Sequence, residues 1–267
     1  MSKGKLLGKG ATAEVYAWGE NQVLKLYFTR FGDDWISREA EVGRRVHQAG
    51  VPSPEVFGVI ETEGRKGLLM ERVTGKSMLW HVAAKPLEVC RYAEKLAVFQ
   101  FEIHRHSGEG LPLQKERFTS LINDSKTILG ARISRILEHL QHLPEGFCVC
   151  HGDLHFDNIL CTGKGLVAID WTHGCRGNPL GDVARTCLMF QSPTIPQGTP
   201  GIALAPYQFA KQVTLLAYIG EYMRLAKVGY DGIGTWMMPV AAARLREKVP
   251  GEAEWLMGII DAQLKLT

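Results

Sequence analysis

The sequence predicts an α+β fold in two lobes, a small five-stranded antiparallel lobe with one helix over residues 1–71 and a larger, mainly helical lobe over residues 77–267. Three observations predict it. Short runs rich in Val, Leu, Tyr and Trp, separated by Gly and Asn, occupy the start of the chain and read as an antiparallel meander. Beyond the connector at 72–76 the pattern changes to that of long helices. One β-rich island, residues 147–170, interrupts those helices.

The elements follow in order. Residues 3–7, 13–18 and 22–27 are strands, divided by the turn residues Gly8, Gly10, Gly19 and Asn21. Ile36, Ala40, Val42, Gly43 and Val46 recur at helical spacing over 34–49, with Asp33 and Asp34 as N-terminal caps and Gly50 and Pro52 as the stop. Residues 56–60 and 67–70 complete the sheet. Helices are expected at 87–106, 117–128, 131–142, 207–226, 235–247 and 252–264. The segment 192–206, SPTIPQGTPGIALAP, is expected to be a surface loop or lid because its prolines and glycines oppose regular structure.

Composition excludes several classes. The 31 Lys+Arg against 28 Asp+Glu leave a net charge of +3 without a basic cluster, so no nucleic-acid partner is indicated. The most apolar long stretch, 207–226, carries Lys211, Gln212, Glu221 and Arg224, which argues for a buried helix and against a membrane span. The N-terminus lacks the apolar core of a secretion signal, so a cytoplasmic location is expected, and the six cysteines are expected to be reduced core residues. No obligatory protein partner is evident.

Chemistry concentrates in His151-Gly152-Asp153-Leu154-His155-Phe156-Asp157-Asn158, followed by the apolar run Leu166 to Ile169 that ends in Asp170. Phosphoryl transfer needs a carboxylate beside the attacking hydroxyl and oxygen ligands for magnesium, and this stretch supplies both. Near the other end, Gly8-Lys9-Gly10-Ala11-Thr12-Ala13-Glu14-Val15 is a glycine-rich hairpin whose backbone could lie close over phosphates. Lys25 follows inside an apolar strand and needs an anionic partner; Glu39, on the inner face of the next helix, is the first candidate and Glu41 the second. Gly75-Lys76-Ser77 is not a P-loop, since Met70 stands where its first glycine belongs. Cys148, Cys150, His151, His155 and Cys161 lack the paired spacing of a zinc site. His104 is assigned no catalytic role, and His151 is expected to order the loop by hydrogen bonding.

Taken together, Gly8, Gly10, Ala13 and Val15, Lys25, Glu39, the connector LLMERVTG, the loop HGDLHFDN and Ile169-Asp170-Trp171 resemble the aminoglycoside phosphotransferase and choline kinase family, which has a bilobal protein-kinase-like fold. GNPLGDVAR, residues 177–185, is similar to a family stretch that buttresses the site. The resemblance implies that Asp153 is the catalytic base or hydroxyl-orienting carboxylate, and that Asn158 and Asp170 ligate Mg2+. It implies that Lys25, held by Glu39, contacts the phosphates of ATP or GTP under the loop from Gly8 to Ala13. The adenine would lie against Met70, Glu71 and Val73. The implied function is a small-molecule kinase acting on a hydroxyl, with an aminoglycoside-type antibiotic as the leading acceptor.

Gly152 replaces the arginine that precedes the catalytic aspartate of protein kinases, and Trp171-Thr172 replaces Phe-Gly, so a regulated protein kinase is disfavoured. A metabolic kinase for choline, ethanolamine or another amino alcohol is the alternative, and a non-catalytic nucleotide-binding regulator is the alternative of another class. For a cationic acceptor the helical lobe offers Glu221, Asp231, Glu252, Glu254 and Asp261. For a quaternary ammonium it offers an aromatic set of Tyr218, Tyr222, Tyr230, Trp236 and Trp255.

Overall fold

A computed structural model describes residues 3–10, 12–195 and 201–266, with side chains of 201–204 left aside. The chain forms two compact units, one from Met1–Trp80 with Phe156–Gly174, the other from His81–His155 with Cys175–Thr267. The first unit opens with β1 (Lys3–Lys9), β2 (Ala13–Trp18), β3 (Gln22–Tyr27), α1 (Asp33–Gln48), β4 (Val56–Thr62) and β5 (Arg65–Glu71). These strands make one antiparallel sheet in the order β1-β2-β3-β5-β4, the five strands and one helix that the sequence predicts. The β4–β5 turn is two residues, Glu63 and Gly64, both at positive φ, the backbone that matches the natural twist of a tight hairpin.

Side-chain alternation on β3 organises this unit. Leu24 and Leu26 fall on one face with Trp18, while Tyr27 falls on the other with Ala13, Ile36, Ala40, Val56 and Leu68. Lys25 shares the parity of Tyr27 and is thereby directed toward α1. The helix begins differently from expectation. Gly32 is the N-cap and makes no side-chain bond, whereas Asp33 and Asp34 sit inside the first turn, where their charge favours the positive helix end.

Next come β6 (Lys76–Ser77) and α2 (Met78–Ala84), which the sequence reading missed. The second unit opens with α3 (Val89–Ile103), α4 (Gln114–Asp124), α5 (Lys126–Leu129), α6 (Ile133–His142) and β7 (Cys148–Cys150). The chain then returns to the first unit as β8 (Ile159–Thr162) and β9 (Gly165–Ala168), forming a sheet in the order β6-β8-β9. It re-enters the second unit with β10 (Cys175–Gly177), antiparallel to β7, and ends in α7 (Pro179–Gln191), α8 (Gly201–Ala226), α9 (Tyr230–Gly234), α10 (Met237–Arg244) and α11 (Ala253–Leu264).

Two expectations for the second unit need correction. The helix expected at 117–128 is two helices, broken at Ser125, whose hydroxyl bonds back to the Leu121 carbonyl. The loop expected over 192–206 covers residues 196–200, which lie outside the described residues, but 201–206 are helical and open α8 with Pro206 inside it. Proline keeps a helical φ and forfeits one backbone bond, a local loss that the long continuation to Ala226 outweighs.

Candidate functional site

In the first unit a buried ammonium sits between two carboxylates. Lys25 Nζ donates to Glu39 Oε1 at 2.6 Å and to Asp170 Oδ1 at 3.0 Å. The Thr172 hydroxyl lies 2.7 Å from both Glu39 Oε2, the oxygen Lys25 does not use, and Asp170 Oδ1, the one it does, and so bridges the two acids. Burial alone would pull the Lys25 ammonium down, but Glu39 and Asp170 outweigh it and hold its pKa above the usual lysine value. Lys25 therefore stays charged in a position that is only 8% exposed. The Asp170 side chain is far more open, at 44%. Its backbone takes the left-handed conformation, φ 64°, two residues after the end of β9.

The β8–β9 register brings the two expected metal ligands to the same end of one hairpin. Ile159 pairs with Ala168, and the Ile169 amide donates to the Asn158 carbonyl at 2.9 Å, so Asn158 and Asp170 flank the hairpin's open end. An amide oxygen and a carboxylate are hard oxygen donors of the kind magnesium takes, so this pair fits the ion in its chemistry.

At the glycine-rich hairpin, Gly8 pairs with Val15 and the Gly10 amide donates to the Ala13 carbonyl at 2.9 Å. Ala11 lies outside the described residues. Ala13, expected as part of a loop over phosphates, is the first residue of β2 and its methyl group is buried in the core under α1. Val15 stands opposite Lys25 on β3. Met70 packs partly into the same core, Glu71 ends β5, and Val73 is partly exposed just beyond it.

In the second unit β7 delivers His151, Gly152 and Asp153, and a buried carboxylate on α7 fixes their backbone. Asp182 Oδ2 accepts from the His151 amide at 3.0 Å, from Gln100 Nε2 at 3.0 Å and from His104 Nε2 at 3.0 Å, while Oδ1 accepts from the Gly152 amide at 2.6 Å. Gly152 takes φ 77°, which a side chain would strain. Burial by itself would raise the Asp182 carboxyl, yet the hydrogen bond and charge of His104 hold it below the usual range. The Asp153 amide donates to His151 Nδ1 at 3.3 Å, and Asp153 Oδ1 accepts from Arg185 Nη2 at 2.9 Å.

Gln100 was not singled out from sequence, and Asp182 and Arg185 entered only as members of the stretch 177–185. The helix that carries two of them has a legible start, with Asn178 as a side-chain cap on the Leu180 amide and Pro179 in the first turn. His104 caps the end of α3 and is a structural ligand of Asp182, with no part in the chemistry assigned to it.

The expected acceptor contacts fare unevenly. Trp236 is 1% exposed and packs at a tilt against Phe118 with ring centres 6.4 Å apart, so it is core and offers no surface to an acceptor. Tyr218 and Tyr222 are likewise buried, their hydroxyls committed to Gln100 and His104 at 2.6 Å each. Glu221 is forked by Arg224, Asp261 by Arg132, and Asp231 lies exposed in the first turn of α9.

Residues 3–207 match the profile of a family described as the phosphotransferase enzyme family. Acyl-CoA dehydrogenase family member 10 of Mus musculus is 26% identical over a match of 184 residues that covers 60% of this chain; the chain spans only 17% of that relative's length. Among solved structures, a thermostable mutant of aminoglycoside phosphotransferase APH(4)-Ia superposes with a TM-score of 0.66 at 19% identity, covering 98% of this chain and 94% of the other. Its ternary complex with AMP-PNP and hygromycin B gives 0.66 at 17% identity, with 97% and 91% covered. An amicoumacin kinase in complex with AMP-PNP, Ca2+ and its ligand gives 0.61 at 15% identity, with 96% and 86% covered. At these identities the likeness establishes the fold, which is kinase-like.

Proposed function

The chain belongs to the phosphotransferase enzyme family, and from that premise we propose that it is a small-molecule kinase moving the γ-phosphate of ATP or GTP onto an acceptor hydroxyl. The observation that carries the proposal is the buried Lys25–Glu39–Asp170 cluster, because an ammonium fixed by one buried acid and one open acid is built to meet phosphate oxygens. Glu39 aims Lys25, and the hairpin of Gly8 and Gly10 supplies backbone that can approach the nucleotide. The end of β5, with Met70, Glu71 and Val73, is the proposed edge for the base. Magnesium held by Asn158 and Asp170 would neutralise charge on the phosphates when bound.

Asp153 accepts a hydrogen bond from the acceptor hydroxyl, aligns its oxygen with the γ-phosphorus and takes the proton as the new O–P bond forms and the bond to the β–γ bridging oxygen breaks. The Asp182 nest fixes the backbone that presents it. An aminoglycoside-type antibiotic is the acceptor we put first, which would make the protein a resistance enzyme working in the cytoplasm. Among the described residues no helix is long and apolar enough to cross a membrane. The burial of Tyr218, Tyr222 and Trp236 removes three of the five aromatics that a choline cage could have used.

The test is nucleoside diphosphate release with Mg-ATP or Mg-GTP across aminoglycosides, other hydroxylated antibiotics, choline and ethanolamine. Release should depend on one acceptor class. Asp153→Ala should lower it by about 100-fold or more while nucleotide affinity holds. Unchanged turnover in that variant would refute the assignment.

A further inference from the structure

The Asp153 carboxylate is one end of a line of alternating charges. Arg185 is buried on α7, and its Nη2 lies 2.9 Å from Asp153 Oδ1 and 2.7 Å from Glu247 Oε1. The other oxygen of Glu247 accepts from Arg244 Nη1 at 3.1 Å. Arg244 in turn forks onto Glu252, Nε to Oε2 at 2.6 Å and Nη2 to Oε1 at 2.7 Å. Glu252 accepts the Ser192 hydroxyl at the end of α7. Of these groups, Arg244, Glu247 and Glu252 lie beyond residue 207, past the stretch that matches the family.

A guanidinium facing a single carboxylate favours two parallel hydrogen bonds that occupy both oxygens. Arg185 does otherwise. One nitrogen serves two acids, so Arg185 meets Asp153 through Oδ1, and Arg185 Nε makes no hydrogen bond among the described residues. Asp153 Oδ2 is turned elsewhere, 3.8 Å from His155 Nε2.

We propose that Arg185 and Glu247 are positioning residues for Asp153, with Glu247 drawing part of the Arg185 charge away so that Asp153 is fixed in place yet keeps its power to accept a hydrogen bond. Without Glu247 the buried guanidinium has Asp153 as its remaining acid partner, and its full charge bears on that carboxylate. Without Arg185, two carboxylates face each other with no cation between them. Either change misplaces the carboxylate that orients the hydroxyl and leaves the nucleotide cluster of the first unit intact. The inference rests on Asp153 serving the transfer.

The experiment measures ADP release from Mg-ATP with water as acceptor, together with the ATP KM and the thermal shift given by Mg-ADP. Variants are Glu247→Gln, Arg185→Met, Arg185→Lys, the double variant Arg185→Met with Glu247→Gln, and Asp153→Ala. Glu247→Gln and Arg185→Met should each lower kcat by about 10-fold to 100-fold at unchanged ATP KM. Arg185→Lys should recover part of the loss, and the double variant should lose no more than Arg185→Met alone. Wild-type kcat in Glu247→Gln, or additive losses in the double variant, overturns the proposal. Should Arg185→Met fail to fold, Glu247→Gln decides alone, since that side chain is partly exposed. If Asp153→Ala releases ADP at the wild-type rate, the kinase reading itself is refuted and this inference with it.

Discussion

Asp182→Asn keeps shape and volume and removes one charge from the nest that holds the backbone of His151 and Gly152. An asparagine presents one oxygen where Asp182 presents two, and the donors are divided three to one between them. The amide will turn its oxygen to the three, which sets its NH2 against the Gly152 amide and leaves a buried donor unpaired, at about 1–3 kcal/mol. The remaining three bonds lose their charge assistance, roughly 1 kcal/mol apiece. The total is about 4–6 kcal/mol, and at ~2–4 °C per kcal/mol for a unit of this size Tm should fall by about 10 °C or more. The pH dependence has a definite sign. Asp182 has a folded pKa below its ordinary 3.8, so its stabilisation is complete above that value and is lost as pH falls through the lower folded one. Thermal unfolding followed by circular dichroism should show a wide gap between wild type and variant near pH 7 that narrows below about pH 4. An unchanged Tm, or a gap of the same width at both pH values, would show that the carboxylate is not the element holding this loop.

Lys25→Met leaves the buried Glu39 without its cation, and guanidinium denaturation should report a loss of about 3 kcal/mol or more. The same variant should lose most of the thermal shift given by Mg-ADP, and a full shift would mean that Lys25 does not meet the nucleotide. Thiol labelling separates exposed from packed cysteines. Cys90 is exposed and should react in the native protein, whereas Cys187, pushed up to about 12 by burial, and Cys150, raised well above its usual value by burial, should react only after denaturation. Rapid native labelling of Cys187 would contradict the packing of α7.

The first unit was legible because its signals are local. β2 and β3 begin and end where the alternation of apolar residues says, and the partnership of Lys25 with Glu39 follows from parity on a strand and spacing on a helix. The motif from His151 to Asn158 stands out in the sequence for a different reason: chemistry restricts which residues can serve a phosphoryl transfer, so its composition is conspicuous, and its catalytic role remains the proposal. The failures share a physical cause. Asp33 and Asp34 suit either a cap or a first turn, and the entry of the backbone at Gly32 decides between them. Ala13 matches a glycine position by spacing, but its methyl group is claimed by the core beneath α1.

Trp236 and Arg185 show the limit most sharply, since burial reverses how each would be read. An aromatic in a helical stretch can be cage or core, and only the packing against Phe118 assigns Trp236 to the core. The sequence marks Arg185 only as part of the stretch 177–185 and Glu252 only as an acceptor contact, and nothing in it joins them to Glu247 and Arg244, yet in the fold each of the two arginines is shared by two acids with Asp153 at the head. Such a line cannot be changed one member at a time without stranding a charge, because each guanidinium is shared by two acids. Coupling of that kind makes the last forty residues of the chain matter to a carboxylate near position 150, and it predicts that losses along the line will be non-additive.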